Sequence, residues 1–190
     1  MKSILLLAIL FLLSIQSYAQ DNKEFLIAPD DWRKEQLQLP LSFAPELDYN
    51  GLEDVRFAKG WGDQESEEFW TYRFAWYLDK NPALNTEKLN KEIQLYFDGL
   101  MNIIAKGRKI SKEKVIATKA TFSKKTKNSF IGKATVFDAF FTQKTIDLNI
   151  KVDYEYCPAT KKHIAYFGLS PQSFQHKLWS VIDNILIPCD

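Results

Sequence analysis

Histidine and cysteine are scarce, with two of each in 190 residues. His163 and His176 have no nucleophile motif beside them, so both read as surface histidines rather than general bases. G-x-S-x-G, a glycine-rich phosphate loop and H-E-x-x-H are all absent. No strong catalytic motif remains, no cofactor is implied, and no nucleic-acid-binding motif stands out. Long apolar runs are missing too. The longest, Ile4 to Ile15, covers about 12 residues, against about 20 for a membrane-crossing helix. With no internal repeat, low-complexity tract or linker, a single domain over 20–190 is the simplest organisation.

What the N-terminus does have is a leader pattern. Lys2 supplies a charged start, Ile4–Ile15 an apolar centre, and Ser17-Tyr18-Ala19 a small-x-small cleavage site. We expect residues 1–19 to be a signal peptide cut after Ala19, with no cysteine placed for a lipid anchor. A secreted or periplasmic protein without a membrane span follows as an expectation.

Charge is balanced overall but not along the chain. Residues 21–79 carry 14 acids against 6 bases, and residues 80–190 carry 10 acids against 18 bases. Nine Lys/Arg fall between Lys106 and Lys127, among them Lys106, Arg108, Lys109, Lys112 and Lys114, with Glu113 the single acid. The plain expectation is that the acidic half lies over the basic strands and neutralises them. The sharper one is a patch for an anionic partner such as an acidic polysaccharide or lipid head groups, with nucleic acid a poor third.

In an oxidising compartment the even pair Cys157 and Cys189 suggests a disulfide, stapling the C-terminal tail to the sheet. A zinc site shared with His163 and His176 would match no familiar spacing, so no metal is expected.

Hydrophobic periodicity gives the order β-β-α-β-β-β-β-α. Strands are expected near 53–59, 69–79, 114–124, 129–141, 144–156 and 162–169, and helices near 85–106 and 173–187. Residues 21–51, broken by Pro29, Pro40 and Pro45, read as an extended wrap across the domain. The strand at 144–156 alternates cleanly between apolar and polar side chains, as an antiparallel sheet with one wet face requires. The fold class is therefore α+β: an antiparallel sheet of about six strands with two amphipathic helices.

Three groups could carry function. Trp70, Tyr72, Phe74 and Trp76 share one strand face, with Trp61 across the turn. They form either a core stripe beneath a helix or a stacking surface for sugars and greasy ligands. Arg73, on the opposite face, reads as solvated or ion-paired. Asp153 and Glu155, two apart on a polar strand face, could serve glycoside hydrolysis, but equally describe any solvated strand. The basic run is the third.

The stretch Trp32 … Pro40-Leu-Ser-Phe-Ala-Pro45-Glu-Leu … Gly51 … Val55-Arg-Phe … Gly60-Trp61 … Phe69-Trp-Thr-Tyr … Trp76 resembles a family of uncharacterised exported bacterial proteins, over about residues 29–79. The resemblance implies an envelope or secreted setting and transfers no catalytic residue. The order of elements is also similar to the Mog1/PsbP-like arrangement, a likeness of fold only. The expected function is a non-enzymatic binding or accessory protein of the cell envelope, its ligand a glycan, lipid or partner protein. The alternative is a hydrolase of envelope or dietary polymer.

Overall fold

The computed structural model describes residues 25–189. The expected leader, 1–19, lies outside the described residues. Nine elements follow in order: β1 Arg33–Leu39, β2 Gly51–Phe57, β3 Tyr72–Leu78, α1 Thr86–Gly107, β4 Lys119–Lys124, β5 Ser129–Phe137, β6 Thr145–Cys157, β7 Lys162–Ser170 and α2 Leu178–Asp183. The class is α+β. All strands join one antiparallel sheet in the order β1-β2-β3-β7-β6-β5-β4. Two meanders meet at its centre. The first, β1 to β3, builds one edge. Helix α1 then carries the chain to the far edge, and β4 to β7 return until β7 pairs with β3.

The sheet has seven strands, not six, and three of them precede α1 rather than two. The extra strand is β1, inside the segment expected to be an extended wrap across the domain. Its sequence, Arg-Lys-Glu-Gln-Leu-Gln-Leu, has weak strand propensity. Pairing with β2, from Arg33 opposite Phe57 to Leu39 opposite Gly51, supplies what propensity does not. Its charges suit an edge, where they discourage pairing with another chain.

Other boundaries shift for local reasons. β3 starts at Tyr72 because Trp70 sits in the left-handed region at φ 54°. β5 stops at Phe137 because the Asp138 carboxylate caps a turn, accepting from the backbone N–H of Phe140, Phe141 and Thr142 at 2.9, 3.0 and 2.8 Å. Lys112–Lys114 is one 3-10 turn, so β4 begins only at Lys119. The last helix spans six residues rather than 173–187. Bonds from His176 to Ser173 and from Trp179 to His176 tighten its approach into turns.

Helix α1 forms where its stripe demands. Asn85 Oδ1 caps it by accepting from Lys88 N at 2.9 Å, and Leu89, Ile93, Tyr96, Phe97, Met101 and Ala105 are buried along one side. That side covers the sheet face carrying Tyr72, Phe74, Trp76 and Leu78. Phe74 stacks between Phe167 of β7 at 4.5 Å and Tyr96 of α1 at 5.1 Å. Gly99 lets the helix approach closely, since a Cβ there would lie 1.9 Å from the Phe43 carbonyl oxygen.

The second face is closed by both ends of the described chain. Leu26, Trp179, Ile182 and Ile185 pack on Ala75, Tyr77, Ile164 and Tyr166. Asp54 Oδ2 accepts from the N–H of Phe25 at 3.2 Å and Leu26 at 2.9 Å, and its ion-pair partner Arg56 donates to the Leu26 carbonyl. Ile27 bridges to Leu186, and Cys157 forms a disulfide with Cys189, as the sequence suggested. Among the described residues no helix is long and apolar enough to cross a membrane.

Among the described residues no ion pair joins the acidic half to the basic run. The acidic half builds the β1–β3 edge, while the run from Lys106 to Lys127 covers the end of α1, the 3-10 turn and β4 at the opposite edge. The whole sheet lies between β1 and β4, which keeps the described acids of that edge away from the basic run.

Candidate functional site

The alternation of β1 and β2 puts Arg33, Glu35 and Leu37 on the same face as Glu53, Val55 and Phe57. Helix α1 crosses above this face with Tyr96, Leu100 and Ile104 directed towards it. Trp61 and Trp70 come from the turn-rich connection between β2 and β3, joined through a Trp70 N–H to Trp61 carbonyl bond of 3.0 Å. Between these parts lies a cleft of about 220 Å³, walled by Phe57, Trp61, Trp70 and Tyr72 on the sheet side and closed by α1.

Beneath it sits Glu53, with no exposed surface. Its Oε2 accepts from Trp76 Nε1 at 2.6 Å, and its Oε1 from the Tyr96 hydroxyl at 3.0 Å. Burial pushes its pKa from 4.5 up to about 7; the two hydrogen bonds pull against that, and the nearby Glu35 charge adds to it. Burial, with Glu53 close by, also holds the Tyr72 and Tyr96 hydroxyls well above their ordinary range. The indole nitrogens of Trp61 and Trp70 are buried without any hydrogen-bond partner. Leaving a buried donor unmet costs about 1–3 kcal/mol.

At the rim, exposed Arg33 lays its guanidinium 4.7 Å from the centre of the Phe57 ring and 5.0 Å from that of Trp61. On its far side is a second depression of about 210 Å³, which shares Arg33, Phe57 and Trp61 and adds Asp31, Lys59 and Phe141. Arg33 therefore stands as a bar between an inner and an outer compartment.

The sequence-stated candidates divide sharply. Trp61, Trp70 and Tyr72 line the cleft from within the core, at 8%, 1% and 3% exposure, so they form no open stacking platform. Trp76 is fully buried, bound to Glu53, and is not among the residues lining the cleft. The physical reason is α1, whose apolar stripe covers that strand face. Asp153 accepts from Ser129 Oγ at 2.5 Å and exposed Glu155 from the Tyr166 hydroxyl at 2.6 Å, on the opposite side of the sheet from α1. Both are engaged by neighbours in the sheet rather than poised across a shared substrate groove.

Arg73 is neither solvated nor ion-paired. It is 1% exposed, sits over the Tyr166 ring at 4.9 Å, and leaves Nε and Nη1 without partners, so burial lowers its pKa. His163 Nδ1 meets the Tyr154 hydroxyl at 2.8 Å, and His176 Nε2 lies 3.8 Å from Glu67. Lys106, Arg108, Lys109, Lys112 and Lys114 are all exposed, and among the described residues none enters an ion pair within 4 Å.

Glu53, Tyr96 and Arg33 were missed. A signal for Glu53 existed: the two-residue alternation that buries Val55 and Phe57 places it on their face, a carboxylate on the apolar side of a strand. Compared with family models, curated proteins and solved structures, the chain matches none.

Proposed function

We propose that this is an exported binding protein of the bacterial envelope whose aromatic cleft holds a small, largely apolar ligand. The cleft carries the reading: four aromatic walls facing Leu100 and Ile104 across about 220 Å³. An apolar cavity of about 150 Å³ is enough to hold a benzene ring. This space therefore suits a ligand of one or two rings, or a short alkyl chain. Binding is favoured over catalysis because Glu53, the carboxyl at the base of the cleft, has both oxygens committed, one to Trp76 and one to Tyr96. The disulfide fits an oxidising compartment, the setting that the leader pattern at 1–19 leads us to expect.

The test is a titration with 3-phenylpropan-1-ol followed by the indole N–H resonances. Saturable shifts are expected at Trp61 and Trp70, with Trp179 on the other face unmoved. Shifts spread evenly over all five tryptophans, or none at millimolar ligand, would refute the assignment.

A further inference from the structure

The outer compartment differs from the inner one in its charge. Arg33 and Lys59 line it against one acid, Asp31, whose carboxylate is 3.8 Å from Lys59. The outer compartment taken alone thus has one positive charge in surplus, while Glu35, two residues from Arg33 on the same face, lines the inner one. Arg33 is exposed and offers a planar fork of donors, the geometry that meets a carboxylate through two hydrogen bonds. Its stem and guanidinium are already steadied over Phe57 and Trp61, so little side-chain freedom is left to lose on binding.

A cationic ligand is disfavoured by the same geometry. Aromatic faces attract cations, but the accessible faces of Phe57 and Trp61 already carry the guanidinium of Arg33. A second cation would have to displace the first. A neutral ligand would fill the inner compartment and leave the outer charge surplus unused.

We propose that the cleft selects a monoanionic amphiphile, its apolar ring or chain between Trp61, Trp70 and Ile104 and its carboxylate on Arg33, at the boundary with the outer compartment near Lys59. This deepens the binding reading and rests on it. The inner space of about 220 Å³ takes the body, and the adjoining 210 Å³ takes the head.

A matched pair of probes separates the two layers of the claim: 3-phenylpropanoate and 3-phenylpropan-1-ol share a body and differ in the head. Dissociation constants come from tryptophan fluorescence at neutral pH, for the full exported chain. The acid should bind about five-fold or more tighter than the alcohol, the value of one favourable charge-assisted contact at a wet site. Arg33→Met, which keeps the stem over the rings, should bring the acid down to the alcohol and leave the alcohol unchanged. Arg33→Lys should restore part of the difference, and Lys59→Gln should weaken only the acid.

Equal binding of acid and alcohol, or an acid affinity indifferent to Arg33→Met, would overturn the assignment of the head group while the cleft reading stands. Failure of both probes to bind would overturn the cleft reading itself, and this inference with it.

Discussion

Replacing Glu53 by Gln should make the protein more stable at neutral and alkaline pH while removing a pH dependence. The carboxyl titrates near 7 in the folded chain and near its ordinary 4.5 when unfolded. Below about pH 4.5 both states hold the proton, and the folded state suffers no penalty. Between 4.5 and 7 the unfolded chain gives up the proton while the folded one keeps it, so stability falls as pH rises. Above 7 the loss is complete. A difference of this size corresponds to about 3 kcal/mol. Glutamine retains a carbonyl for the Trp76 indole N–H and presents an amide to the Tyr96 hydroxyl, so the local hydrogen bonds can persist. Urea unfolding of wild type and variant, disulfide intact, should therefore give curves that converge near pH 4.5 and separate by about 2–3 kcal/mol at pH 8, with the variant the more stable. Other titrating groups cancel in the difference. Parallel curves across this range, or a variant destabilised equally at every pH, would refute the placement of a neutral, buried carboxyl under the cleft.

Gly99→Ala should cost about 1–3 kcal/mol, because its methyl carbon would meet the Phe43 carbonyl at 1.9 Å and α1 must move away; thermal unfolding and loss of probe binding should report it together. Removing the Cys157–Cys189 bridge by double serine substitution should lower stability by about 4 kcal/mol, the loop-closure value for a separation of 32 residues, as read by urea unfolding. Converting Lys109, Lys112 and Lys114 to Gln should reduce retention on an anionic polysaccharide column. For wild type that retention should fall steeply with salt, and a salt-independent response would rule out an electrostatic patch.

The helix α1 and strands β5 to β7 were legible because each carries a strong period: a stripe at three and four residues in 86–107, and clean alternation through Ile146–Val152. β1 was not. Its charges and glutamines hide a strand that exists only because β2 offers an edge. The final helix was overextended since Phe174, Leu178, Val181 and Ile185 keep helical spacing even where the backbone makes tighter turns. The aromatic residues were legible as a group but not by environment. Spacing shows that Tyr72 and Trp76 share a face; only the position of α1 decides that the first lines a cleft and the second is sealed behind Glu53. Arg33 and Glu53 meet this site through pairing of β1 with β2, a contact between segments that local periodicity does not report.

The central claim is that α1 and the β1–β2 edge enclose a ligand-sized apolar space. A crystal structure grown with saturating 3-phenylpropanoate tests it most directly. The account predicts the phenyl ring between Trp61, Trp70 and Ile104 with the carboxylate on Arg33. An α1 closed down against the β1–β2 edge, or the ring bound elsewhere, would contradict it.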